Sequence, residues 1–329
     1  DMWRFMDGSA RAASAIGNRL VATPYVGAHP DYAYFDSLED NARFIETWHG
    51  AAEGRVQAWV GLEHLFYCTE ANARRAVDLA LRHRTGIHTH ACEAESEVAE
   101  FRARYGKGAI AVLDDLGFFA PQAALIAHAV WLDDAEIALL AARGGSVAHN
   151  PVSNMKLASG IARVEDMLEA GIAVGLGTDG EKENNNLDLF EEMKTASLLG
   201  KLRERDAAAL DSWQVLRMAT SLGARALGLA DEIGSLEVGK KADFIAIRTD
   251  TPRLTPLFAE GPWFNLHHNL VHAVRGSDVS EVVIDGREVV REGELLTAPM
   301  PELIARARAR APGLFARRAA WLAANEAVA

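Results

Sequence analysis

Two histidines two residues apart, then a cysteine and a glutamate, close the apolar run "IHTHACE" at 87–93. In a strand alternate side chains share a face, so His88 and His90 point one way and Thr89 the other. Spacing alone does not choose between the two imidazoles. Glu93 falls just past the strand end, where it could move a proton between a water and a substrate nitrogen. It could equally be a first-turn helix glutamate favoured by the macrodipole. Further along, "AALIAHAV" (123–130), "GGSVAHN" (144–150) and "GIAVGLGTD" (171–179) each end on a polar group: His128, His149 or Asn150, and Asp179. Upstream, "RLVATP" (19–24) carries Thr23 and "RVQAWVGLEH" (55–64) ends on His64. Imidazoles and carboxylates are costly to bury unless paired or bound to a metal. Any one of them, His149 for example, is most simply a histidine hydrogen-bonded to backbone. Together, His90, His128 and Asp179 have the types that hold a hard or borderline divalent ion: neutral imidazole nitrogens and a carboxylate oxygen.

What must position these groups is a run of buried strands. The six segments just quoted are β-branched, nearly continuous and bounded by Gly, Pro or Asn, as parallel strands covered on both faces are. Between them, "DGSARAASAIG", "SLEDNARFIETWHG", "TEANARRAVDLALRHR", "ESEVAEFRARYG", "DDAEIALLAARG" and "VEDMLEAG" read as helices with Ser, Thr or Asp starts and Gly stops. Strand C-termini are where an α/β barrel gathers its active site. A doubly wound sheet would also bind ligands there, but no Gly-rich phosphate loop follows any of these strands, so the (β/α)8 TIM barrel is preferred. After about residue 203 the pattern changes. "DSWQVLRMATSLGARALGL" reads as one capped amphipathic helix, 242–248 and 280–290 as strands with a hairpin at Asp285-Gly286, and 301–325 as an Ala/Arg-rich helix. The expected organisation is a barrel over 1–230, a small β side domain over 231–298 and a C-terminal helix over 299–329.

The 329 residues suit one large α/β barrel with a satellite. A formal net charge of -12 disfavours nucleic acid, and no apolar run approaches the roughly 20 residues of a membrane span. The two cysteines, Cys68 and Cys92, are no disulfide framework and suit a cytoplasmic protein. A small neutral or cationic ligand fits the charge better than a polyanion, and a homo-oligomer is expected.

"GLEHLFYCT", "HTHACEAESEVAEF", "AHAVWLDDAEIALLA", the block from "GGSVAHNPVSNMKLASG" to "TASLLGKL", and "GSLEVGKKADFIAI" resemble the amidohydrolase superfamily. Within it they are similar to the branch of S-adenosylhomocysteine and methylthioadenosine deaminases and triazine hydrolases. The resemblance runs in order over nearly the whole chain. It implies that His90, rather than His88, binds a single metal together with Asp179. It also implies that Glu93 shuttles the proton, that Asp179 accepts one from the attacking water, that His128 orients that water, and that His64 contacts substrate with Glu93 and His128. The metal in such enzymes is usually zinc, sometimes iron. It lowers the pKa of water from 15.7 to about 7, so that hydroxide attacks a ring carbon bearing an amino group and ammonia leaves. The expected activity is hydrolytic deamination of an amino-purine, pyrimidine, pterin or triazine, by an aminohydrolase acting on cyclic amidines.

Two departures qualify it. The family's H-x-H pair on strand one has no counterpart before residue 86, and Asp1-Met2 matches the end of the family's second strand, so a full barrel and a three-ligand site are not expected from these residues alone. The loop "TPYVGAHPDYAYFDSLED" (23–40) holds no arginine to clamp a substrate carboxylate, which favours a smaller or uncharged substrate. Tyr32, Tyr34 and Phe35 there could stack on a planar ring. The alternatives are triazine-type hydrolysis releasing chloride or alkylamine, and a metal-free homologue serving as a binding subunit. A two-metal amide hydrolase is disfavoured, since Lys107, Lys156 and Lys182 all fall in loops or helices.

Overall fold

Val56, Leu62, Ile87, Ile126, Val147 and Val174 have no solvent exposure. Runs without a polar face can be satisfied only by cover on both sides, and the chain provides it as a parallel sheet wrapped by helices. The computed structural model describes residues 1–28 and 34–324. Its parallel strands are β1 (Met2–Trp3), β2 (Leu20–Pro24), β3 (Val56–Ala58), β4 (Val60–His64), β5 (Ile87–Ala91), β6 (Ala124–His128), β7 (Ser146–His149) and β8 (Ala173–Leu176). They order as β1-β2-β3 and β4-β5-β6-β7-β8.

The segment read as one strand over 55–64 is two. β3 pairs with β2, Trp59 donates its N–H to the Ala22 carbonyl (2.9 Å), and β4 then pairs with β5. This hand-off joins the two sheets into one curled array, the barrel wall. Gly61 is required at the join, because a Cβ there would meet the Pro24 carbonyl oxygen at 2.1 Å. β1, a two-residue strand beyond the six expected, pairs in parallel with β2. Among the described residues the outer edges of β1 and β8 have no strand partner, so the wall stays open between them.

Helix starts follow the capping chemistry. Ser37 and Asp40, Asp133 and Glu136, and Asp211 and Gln214 form reciprocal capping boxes. The expected helix over 211–229 is broken in two, Ser212–Met218 and Ser221–Ala226, at Thr220, whose φ of -131° and ψ of -98° leave the helical region. Helices Ala109–Asp115, Pro151–Lys156 and Leu189–Glu204 add to those expected.

β9 (Phe244–Ile247), β10 (Val279–Ile284), β11 (Arg287–Arg291) and β12 (Glu294–Leu295) form one antiparallel sheet, the small β structure expected beside the barrel. Asp285 and Gly286, both with positive φ, make the two-residue hairpin turn. Arg19 ties the sheet to the start of β2 by a bidentate pair with Asp243 (2.6 and 2.9 Å). An apolar cavity of about 610 Å³ lies between the sheet, helix Ser221–Ala226 and the inner residues Leu125, Ala148 and Gly175 of β6–β8. The terminal helix Met300–Ala324 buries no residue, and position 325 of the expected helix lies outside the described residues. Among the described residues no helix is long and apolar enough to cross a membrane.

Candidate active site

The parallel strands deliver their polar residues to one end. His88 and His90 pair in register with Leu125 and Ala127, so both imidazoles face the interior, with ring centroids 5.6 Å apart. Between Leu62 and His64 the β4–β5 register slips, leaving Glu63 as an extra residue. Such a bulge re-aims the groups it carries. Here it turns the Glu63 carbonyl onto Nδ1 of His90 at 2.7 Å. A carbonyl only accepts, so the proton sits on Nδ1 and the Nε2 lone pair of His90 is free. His88 lies deeper: its Nδ1 is 3.4 Å from Thr23 Oγ1 and its Nε2 is buried without a partner.

Three of the strand ends carry left-handed backbone on residues with side chains: Cys92 after β5, His128 and Ala129 at β6, and Asp179 after β8. Each costs on the order of 1–3 kcal/mol, and such residues gather where function fixes geometry. His128 and His90 have ring centroids 5.4 Å apart. The Asn154 amide donates to His128 Nδ1 (3.0 Å), which leaves the His128 proton on Nε2, 3.7 Å from Glu93 Oε2. Burial keeps His128 and His90 below the ordinary imidazole range, so both are neutral at pH 7.

Glu93 is not the helix cap that its position allowed. The capping carboxylate is Glu97, which accepts from the backbone N–H of Cys92 and of Glu93 (2.7 Å). The Glu93 side chain turns instead toward the imidazoles and takes the Ser159 hydroxyl on Oε1 (3.1 Å). Burial raises its pKa above the ordinary carboxyl value. Asp179 accepts from Ser153 Oγ (2.6 Å) on one oxygen and from the Gly180 N–H (2.7 Å) on the other. His64 is buried with both nitrogens engaged, Nδ1 by the Phe66 N–H (3.1 Å) and Nε2 by Glu97 (3.0 Å), and its ring stacks on Phe66 at 4.3 Å. His149 is buried with Nδ1 unpartnered, and burial lowers its pKa to about 3.

A run of aromatic rings borders the mouth: Trp3 to Tyr25 (5.4 Å), Tyr25 to Phe35 (5.6 Å) and Phe35 to Tyr67 (5.2 Å). Tyr34 packs on Phe35 at 4.6 Å, while Tyr32 lies outside the described residues. Lys182, in the short helix Glu181–Asn184 after Asp179, sits 5.7 Å over Trp3. Both cysteines are buried free thiols, Cys68 pushed up to about 12 and Cys92 upward as well, and so are unreactive.

A model of the amidohydrolase family matches residues 4–289, a span that includes the parallel strands β2 to β8. The chain belongs to the amidohydrolase family. It is 41% identical over 318 residues to a 5'-deoxyadenosine deaminase of Methanosarcina mazei, covering 96% of this chain and 72% of that one. It is 41% identical over 297 residues to a 5-methylthioadenosine/S-adenosylhomocysteine deaminase of Desulforudis audaxviator, covering 90% and 67%. Among solved structures it is similar to an adenosine deaminase from Xanthomonas campestris with bound zinc. The TM-score is 0.85 at 33% identity, over 93% of this chain and 68% of that one.

Membership in the amidohydrolase family implies a divalent metal, and the donors present can be tested for it. His90 fits: its Nδ1–H is spent on a carbonyl, the arrangement that orients a ligating imidazole. Asp179 fits too, since each of its oxygens accepts one hydrogen bond and keeps a lone pair. Among the described residues no three His, Cys, Asp or Glu side chains group closely enough to hold an ion.

Four residues of this amidohydrolase that sequence reasoning passed over hold the others in place: Glu97, Ser153, Asn154 and Ser159. Three of them lie in "NPVSNMKLASG", whose Pro at the first helical position marks a helix start and nothing more.

Proposed function

We propose that this chain is a metal-dependent hydrolytic deaminase of an amino-substituted aromatic heterocycle, acting on an adenosine whose 5' end is uncharged. The observation that carries the reading is the meeting of His90, Glu93 and His128 at adjoining strand ends, with Glu93 Oε2 3.7 Å from His128 Nε2. Support for the substrate comes from the names of the relatives, and from an aromatic mouth without an arginine in 23–40 to clamp a carboxylate. His90 and Asp179 would hold the metal, for which zinc is the proposal. What the bound ion supplies is acidified water, whose pKa falls to about 7.

The chain's own groups do the rest. Asp179 takes a proton from the attacking water, and the neutral His128 directs its Nε2–H at the water oxygen. Glu93 delivers a proton to the ring nitrogen next to the attacked carbon, so charge does not build up on the ring. The carbon–nitrogen bond then breaks as the leaving nitrogen takes the proton held by Asp179 and the new hydroxyl gives its proton back to Glu93, so that ammonia departs and the ring keeps an oxo group. His64 supplies a wall for the bound ring. The division into 1–230, 231–298 and 299–329, a homo-oligomeric state and a cytoplasmic setting belong to this same proposal.

The test is ammonia release by the full chain reconstituted with zinc, from 5'-deoxyadenosine, methylthioadenosine, S-adenosylhomocysteine and a chlorotriazine. Ammonia from the first two, exceeding that from S-adenosylhomocysteine, is expected. Chloride from the triazine with no ammonia from the adenosines would replace this reading by triazine hydrolysis. Elemental analysis giving well under about one equivalent of metal, with no turnover, would replace it by a binding role.

A further inference from the structure

Helix Pro151–Lys156 ends in a turn that does more than stop a helix. The Ser159 N–H donates back to the Asn154 carbonyl (2.8 Å) across Ala158, which has a left-handed φ of 57°. This six-residue closure is the Schellman pattern. The Ser159 carbonyl is fixed as well, accepting the Trp131 indole N–H at 2.6 Å. One short turn thus presents Asn154, whose amide meets His128, and Ser159, whose hydroxyl meets Glu93.

We infer that Ser159 is a positioning residue for Glu93, and that the turn locks the orientations of Glu93 and His128 to each other. The inference rests on reading Glu93 as the proton carrier. A hydroxyl seeking only a partner has nearer choices, as Ser14 shows by bonding the carbonyl four residues back in its own helix (2.8 Å). Ser159, 8% exposed, reaches instead across 66 positions to one oxygen of a carboxylate. With Oε1 held, rotation about the last bond of Glu93 is stopped, and Oε2 stays on the side of His128 Nε2. Without the hydroxyl, the carboxylate can turn away while remaining in the site. The effect belongs in turnover, since the groups that would bind the ring are untouched.

The test is a double-mutant cycle in the metal-loaded full chain. Ser159→Ala should lower kcat about tenfold with KM little changed, the scale of loss for an orienting partner. Ser159→Thr, which keeps the hydroxyl, should recover most of it. In a Glu93→Gln background Ser159→Ala should add no further loss to the residual rate. Thermal unfolding of the same four proteins without substrate reads the contact independently of turnover: the two substitutions should be non-additive in Tm. Additive losses in rate, or Ser159→Thr as impaired as Ser159→Ala, would overturn the inference. So would additive Tm shifts. If no variant and no wild type releases ammonia, the deaminase reading fails while the unfolding cycle still decides the contact.

Discussion

The two ends of the parallel strands differ in the residues to which they give left-handed backbone. Where helices turn into β2, β6, β7 and β8, the positive φ falls on Gly17, Gly117, Gly144 and Gly171, which adopt it at no steric cost; Ala52 and Glu53, before β3, and Arg84, before β5, differ. Where β5, β6 and β8 turn out again, it falls on Cys92, His128, Ala129 and Asp179. Glycine would have been easier at those exits. His128 and Asp179, whose side chains face the proposed site, cannot be glycine, so this end of the barrel accepts at those positions a strain that the glycines of the other end avoid. One end is built for stability and the other for chemistry.

The sharpest way to break that comparison is Glu93→Gln. Loss of the proton carrier should cut ammonia release by about 10²–10⁴-fold while the melting temperature falls no further than Ser159→Ala lowers it. A fall in stability with activity preserved would remove Glu93 from the site.

Glu192 probes the same end through burial. It is 1% exposed, accepts from the Val152 N–H (3.2 Å) and Asn184 Nδ2 (2.6 Å), and burial raises its pKa to about 7. A carboxyl with a raised folded pKa favours the protonated native state, so its contribution is complete below the ordinary value of 4.5. It is lost as pH rises to about 7. Denaturant unfolding should therefore show wild type losing at most ~3 kcal/mol across this window. Glu192→Gln, one hydrogen bond poorer at every pH, should be flat there.

At the opposite end, Gly171→Ala has open space for its methyl, so it reports backbone strain alone. Unfolding should reveal a loss of about 1–2 kcal/mol with kcat and KM unchanged. The smallest effect is expected at Ala158, exposed and left-handed in the turn after helix Pro151–Lys156. Ala158→Gly should gain no more than ~1 kcal/mol, again read by unfolding.

How much of this was written legibly in the chain follows from what each feature depends on. Buried strands that end in His90, His128 and Asp179 announce themselves, because apolar runs and polar termini are local. The capping roles of Ser37, Thr69 and Asp133 are local too. Helix Leu189–Glu204 escaped because its apolar residues are spread around the axis and make no single face. The break at Thr220 falls inside an unbroken helical period. Ser153, Asn154 and Ser159 escaped for another reason. Short polar side chains beside a helix look alike whether they serve the local backbone or a strand 26 to 66 positions distant. The choice between His88 and His90 turns on the register slip at Glu63, which no spacing encodes.

That slip also bears on how such a site changes over generations. His90 is aimed by the main chain of residue 63, whose side chain is occupied elsewhere, on the Tyr25 hydroxyl (2.8 Å). Any amino acid at 63 that tolerates the bulge brings the same carbonyl, so this position can drift toward new specificities while the imidazole beside it keeps its bearing.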